Sequence, residues 1–237
     1  MESWANPVSG VSVRDSYQIF FEQCVSKERL FRFGLDETIL CTDASVGPAW
    51  RDLKHRAFNN GEVYIRGFGR NSSGSHLFQQ LYSYALSNEN VKIDPTNNKV
   101  PTEVLREYTG FSKVRNKKYS QLRNYQVSHV FGRTKNIFAF SAPWNIVYIP
   151  KILDPFTGHE AKGEAVKEFT KLFQRMVYDR FKEQIEDFNA IMTDQSFINK
   201  IGGALTKMKN SGKYDNTQII NIYKGVQSDL VQIKIKT

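Results

Sequence analysis

The chain contains four histidines, His55, His76, His129 and His159, and two of them bracket the segment with the most chemistry in it, YQVSHVFGRTKNIFAFSAPWNIVYIPKILDPFTGHE. Asn145 follows His129 by sixteen residues, Asp154 comes nine later, and His159 five after that. A neutral imidazole at a strand end can take a proton from water near neutral pH. A carboxamide such as Asn145 can hold that imidazole or ligate a hard cation. Asp154 and His159 would complete a divalent-metal site suited to phosphate chemistry.

These four residues can share one cleft only if the intervening chain doubles back. Tyr125–Phe131 and Asn145–Ile149 are rich in Val, Ile and aromatics and read as two short strands, with a polar turn over Gly132–Asn136 between them. From about His159 a long helix is expected to run toward Ile191, its apolar stripe formed by Phe169, Leu172, Phe173, Met176, Val177, Phe181, Ile185 and Phe188. A hairpin followed by a helix brings the four side chains to one end.

The stretch from Tyr125 to Glu160 resembles the HNH, or ββα-metal, nuclease motif. The resemblance implies that His129 is the general base that activates water. It also implies that Asn145 orients that base or binds metal, that His159 on the helix is a metal ligand, and that Asp154 is an additional ligand. The catalytic set is then His129, Asn145 and His159, and the metal set Asn145, Asp154 and His159. Ser128 stands where many members carry Asp or His, and paired CxxC knuckles are absent. The cofactor implied is Mg²⁺ or Mn²⁺, with no organic cofactor, and the activity is hydrolysis of DNA phosphodiesters.

The charge distribution points to the same partner. Between Tyr108 and Leu153 lie Lys113, Arg115, Lys117, Lys118, Arg123, Arg133, Lys135 and Lys151 without one Asp or Glu, a local +8 in a chain whose net charge is +9. Phe111, Tyr119, Tyr125, Phe131, Phe138, Phe140, Trp144 and Tyr148 are interleaved with these cations. Basic residues alternating with flat apolar ones suit a polyanion with phosphates and bases. The expected nucleic-acid contacts are Arg66, Arg70, Lys113, Arg115, Lys117, Lys118, Arg123, Arg133 and Lys135. Arg66 precedes and Arg70 lies within the glycine-rich turn 67–75, which follows a strand and precedes a helix. That turn lacks a phosphate-loop Gly-Lys-Ser/Thr ending and does not fit GxGxxG, so a backbone clamp on DNA or a plain turn is its reading.

Elsewhere, Arg14–Phe33 reads as a helix ending at Gly34, Thr38–Ala49 as mixed and broken by Gly47-Pro48, and Glu62–Phe68 as a strand. Ser75–Leu86 reads as a helix capped by Ser75, Asn88–Lys99 as a polar loop, and Pro101–Tyr108 as a short helix. Gly202–Gly203 and Ser211–Gly212 are expected to break the tail, and Leu230–Ile235 to form an edge strand.

At 237 residues and 40% hydrophobic, the chain can bury a full core. No stretch reaches the roughly 20 apolar residues of a membrane span. The N-terminal residues lack a signal-peptide pattern, and Cys24 and Cys41 are too few for a disulfide framework or a Cys-rich zinc site. A cytoplasmic location is expected, with no membrane partner. A PD-(D/E)xK core finds only the string Asp154 with Glu160-Ala161-Lys162, on a turn and helix, and no Gly-x-Ser-x-Gly elbow occurs.

The expected fold is α+β: a ββα-metal hairpin-plus-helix core in a largely helical surround. Its division is an N-terminal region 1–110 with a possible recognition role, a nuclease core 111–192 and a C-terminal extension 193–237. The length outside the motif suggests a site-specific, type II restriction-like endonuclease on double-stranded DNA. A palindromic target would make it a homodimer. The alternative is a nucleic-acid-binding protein without catalysis, using the basic aromatic window 108–153.

Overall fold

The computed structural model describes residues 14–69, 74–157 and 160–235. Three helices open this part: α1 (Ser16–Gln23), α2 (Lys27–Asp36) and α3 (Asp43–Phe58). The single helix expected over Arg14–Phe33 is two, because two separate caps start it. Asp15 accepts from the Tyr17 N–H at 2.9 Å and Ser26 accepts from the Arg29 N–H at 3.3 Å. Gly34 lies inside α2 rather than ending it. A Cβ there would come 2.7 Å from Leu153 Cγ, so the missing side chain lets α2 lie close over the segment that follows the hairpin. Gly47-Pro48 does not break the chain either. Val46, Trp50, Leu53 and Ala57 form a buried stripe that carries α3 through the proline.

Strand β1 (Val63–Ile65), helix α4 (Ser75–Leu86) and strand β2 (Val91–Ile93) form a crossover in which β1 and β2 pair in parallel, Val63 opposite Val91. The polar loop expected over Asn88–Lys99 thus contains a strand. The N-cap of α4 is Gly74, not Ser75, whose hydroxyl donates instead to the Arg66 carbonyl at 2.6 Å. Helix α5 (Lys99–Thr109) follows, and then a two-residue parallel pair of β3 (Phe111–Ser112) and β4 (Ser120–Gln121).

The hairpin predicted from the sequence is present. Strand β5 (Tyr125–His129) pairs antiparallel with β6 (Ile146–Pro150), Tyr125 opposite Pro150 and His129 opposite Ile146. Every residue of β6 is buried, and its free edge is covered where Ile39 exchanges both backbone hydrogen bonds with Tyr148. A 3-10 segment (Lys151–Thr157) then leads toward α6 (Glu164–Arg180). The long helix expected from His159 to Ile191 divides at buried Phe181 into α6 and α7 (Lys182–Thr193). Leu172, placed on its apolar stripe, is 43% exposed.

The chain closes with α8 (Gln195–Asn210) and α9 (Asn216–Asp229). Gly202 and Gly203 sit inside α8 with open space beside them, and the helix is held by buried Phe197, Ile201, Ala204, Leu205 and Met208. The expected edge strand at 230–235 does not form. Leu230 and Ile233 are the buried pair, a spacing of three rather than two, and the Asn189 amide grips Ile233 by accepting its N–H at 2.7 Å and donating to its carbonyl at 3.1 Å.

The architecture is α+β, and a single hydrophobic cluster runs through the three segments 1–110, 111–192 and 193–237. Trp144 stands at its centre with its ring 5.6 Å from Trp50 and 5.2 Å from Phe188. No described helix is long and apolar enough to cross a membrane.

Candidate functional site

The connector between β5 and β6, residues 130–145, is long for a hairpin and is folded onto one side chain. Asn145 donates to the carbonyls of Gly132 (3.0 Å) and Ala139 (2.9 Å), and its Oδ1 accepts from the Phe131 N–H (2.9 Å). Asn136 makes a second tie, accepting from the Phe138 N–H and donating to the Asp229 carbonyl, both at 2.9 Å. The turn between the ties is left-handed at Gly132 (φ 66°) and Arg133 (φ 58°).

These ties bring the Phe140 carbonyl to the imidazole of His129, which is 3% exposed. Nε2 lies 2.8 Å from that oxygen, and the ring stacks on Phe140 with centroids 5.3 Å apart. A carbonyl oxygen can only accept, so Nε2 carries a proton, and in the neutral ring Nδ1 carries the lone pair. Nδ1 lies 3.3 Å from Nη2 of Arg66. Arg66 leaves the end of β1, where its N–H donates to the Thr134 carbonyl at 2.9 Å, and its Nη2 reaches Asn98 Oδ1 at 3.4 Å. Burial lowers the basicity of this guanidinium, while the charges of Asp229 and Asp94 act in the opposite sense.

His129, Arg66, Arg133 and Asp154 line one polar cleft of about 200 Å³, together with Glu160, Asp229, Asn97 and Asn98. Asp154 reaches it from the 3-10 segment, where the Asp154 carbonyl also accepts from the Thr157 hydroxyl at 2.7 Å. His159 and Arg70 lie outside the described residues. Among the described residues no three His, Cys, Asp or Glu side chains converge as a metal site.

Asn145 corrects the expectation of a ligand. It is wholly buried and does not line the cleft, and its carboxamide is spent on three backbone partners. The side chain therefore fits the positioning of His129 and not the binding of a cation.

The predicted basic contacts divide into three groups. Lys113, Arg115, Lys117, Lys118 and Arg123 are exposed around β3 and β4 and do not line the cleft. Lys118 pairs with Glu107 at 3.4 Å. Arg133 is held by the end of α9 and the segment after it, donating to the carbonyls of Ser228 (2.5 Å) and Gln232 (3.4 Å), and burial lowers its basicity. Lys135 is half-buried over the Phe78 ring, and its backbone N–H donates to Asp229 Oδ2 at 2.7 Å.

Sequence reasoning passed over Asp229 and Asn98, and met Glu160 in the PD-(D/E)xK string with Asp154. Asp229 closes α9, a hundred residues from His129 in the chain, and no local pattern marks it.

A relative from Pasteurella multocida (strain Pm70), described as "Uncharacterized protein PM1201", is 41% identical over 208 residues, covering 87% of this chain and 91% of the relative. No solved structure matches. The family model described as "Uncharacterised protein PM1201" matches residues 42–235, a span that contains the whole hairpin and its cleft, and the chain belongs to that family.

Proposed function

We propose that this chain is a divalent-metal-dependent endonuclease that hydrolyses phosphodiester bonds of double-stranded DNA. In this reading β5, β6 and the segment after them serve as a ββα-metal core of the HNH kind. The observation that carries it is the setting of His129. Its Nε2–H is fixed by the Phe140 carbonyl, and its Nδ1 lone pair meets Arg66 in a cleft that also receives Asp154. An imidazole held in one tautomer with its basic nitrogen in a polar cleft is suited to take a proton from water.

Each side chain then has a task. His129 accepts the proton of the attacking water at Nδ1. Arg66 is placed to pair with a phosphate oxygen beside that nitrogen, by a charge-assisted hydrogen bond. Asn145 keeps the Phe140 carbonyl, and through it the imidazole, in position. Asp154 lines the cleft, and a carboxylate is a hard oxygen donor that fits Mg²⁺ or Mn²⁺, with His159 the second ligand suggested by the sequence. A bound cation would supply charge neutralisation at the phosphate and the leaving oxygen. The length of chain outside the hairpin is consistent with a site-specific, restriction-like enzyme acting on palindromic sites as a homodimer.

The test is incubation of supercoiled plasmid and phage DNA with the purified protein in Mg²⁺ or Mn²⁺, beside His129→Ala and an EDTA control. We expect cleavage that EDTA abolishes and that the variant loses by about 10²–10⁴-fold, as for removal of a general base. Discrete bands support site specificity, and a smear supports cutting without it. DNA that stays intact but is shifted on a gel overturns the enzyme reading and leaves a binding protein.

A further inference from the structure

Two hollows lie near the cleft. A groove of about 630 Å³ is lined by α6 and the C-terminal segment, its lining beginning at Ala161, next in the chain to cleft-lining Glu160. Lys162, Lys167, Lys171 and Lys234 line it, and no acidic residue does among the described residues. Lys167, Lys171 and Gln174 recur on one face of α6. The Gln174 amide donates to the Val130 carbonyl at 3.1 Å, which fixes this face beside the residue that follows His129. A second hollow of about 560 Å³ shares Gly132, Arg133 and Asp229 with the cleft and adds Lys135 and Lys224.

The carboxylates of α6 have partners of their own. Glu168 is paired with Lys27 of α2 at 2.6 Å, and Asp179 with Arg175 at 2.8 Å. Glu164 takes up one groove lysine, Lys167, at 2.6 Å. In sequence, Lys162 to Lys171 alternates with acids and looks neutral, yet Lys162, Lys167, Lys171 and Lys234 line one hollow, and Lys135 and Lys224 line another that is continuous with the cleft.

We propose that the three hollows form one track for the backbone of duplex DNA, with Lys162, Lys171, Lys224 and Lys234 holding phosphates near the cleft. The exposed cations at 113–123 are then not the principal binding surface. This inference rests on the reading of the cleft as a DNA-cleaving site. A duplex is the fitting partner because its evenly spaced phosphates can meet cations of successive hollows, which a single small anion cannot do.

The test is fluorescence anisotropy of a labelled DNA duplex in EDTA over a range of salt concentrations. The proteins compared are the wild type, Lys162→Gln/Lys171→Gln, Lys224→Gln/Lys234→Gln and Lys117→Gln/Lys118→Gln, each checked for folding by circular dichroism. Each groove pair should bind about tenfold more weakly at moderate salt and show a shallower log K against log salt slope, by about two, as expected for two lost phosphate contacts. The loop pair should stay within about twofold of the wild type. Groove pairs that bind like the wild type, or a loop pair that loses more, overturn the track. Tighter binding of single-stranded RNA than of the duplex also overturns it.

The same proteins in Mg²⁺ or Mn²⁺ separate the two readings. Groove-dependent binding without any cleavage sinks the nuclease and leaves the track. Cleavage with an unaltered salt slope in the groove variants sinks only the track, and a wild type that binds no duplex sinks both.

Discussion

The Nε2 atom of His129 lies 2.8 Å from the carbonyl oxygen of Phe140, eleven residues further along the chain. Backbone geometry alone does not bring these atoms together. The connector must fold back, and the Asn145 clasp makes it do so. The imidazole therefore has one face fixed by an acceptor and its other nitrogen turned to Arg66.

The tautomer follows from that contact and can be measured directly. The neutral His129 ring should give ¹⁵N shifts of an Nε2-protonated imidazole, with Nδ1 in the range of an unprotonated nitrogen. A ring protonated at Nδ1 in the free protein would remove the basis for its role as a base.

Asn145→Ala should lower the unfolding free energy by about 3–5 kcal/mol, because it strands the Phe131 N–H and the Gly132 and Ala139 carbonyls in the interior. Asn145→Asp should fare no better. It keeps an acceptor for Phe131 but loses both donors and sets a carboxylate against two carbonyl oxygens. Urea unfolding of both variants checks this, and an aspartate variant as stable as the wild type would contradict the clasp.

The two thiols should respond differently to reagents. Burial pushes the Cys41 thiol up to about 12, while Cys24 is exposed. At pH 8 the Cys41 thiolate is about one part in ten thousand. Ellman's reagent should therefore titrate one thiol in the folded chain and a second only on unfolding. Two fast-reacting thiols in the native protein would show that the core around Cys41 opens.

The strands of the hairpin were legible in the sequence because Val, Ile and aromatic residues concentrate in both halves and a polar turn separates them. The break at Ser211–Gly212, which separates α8 from α9, was also marked locally. Other features depended on distant partners. Helix α3 passes through Gly47-Pro48 because Trp50 and Leu53 bury themselves against elements far along the chain. Strand β2 exists because β1 pairs with it, and the tail at 230–235 forms no strand and is held where Asn189 grips Ile233. At the candidate site, His129 and Asp154 could be picked out by residue type and spacing. The loop-holding role of Asn145 could not, since a carboxamide that ligates a cation and one that ties a loop look alike in sequence. The charge of the window at 108–153 was legible too. That Arg133 turns back onto α9 while lysines of α6 and the C-terminal segment line one hollow was not.

Trp144 immediately precedes the clasp residue, is wholly buried, and stands edge-on to Trp50 at 5.6 Å and near Phe131 at 6.4 Å. The chain thus carries its own optical reporter at the root of the connector. Loosening of the loop would shift the indole emission to the red and weaken the near-ultraviolet dichroism of the tryptophan pair, so the order of the cleft can be followed without any added label.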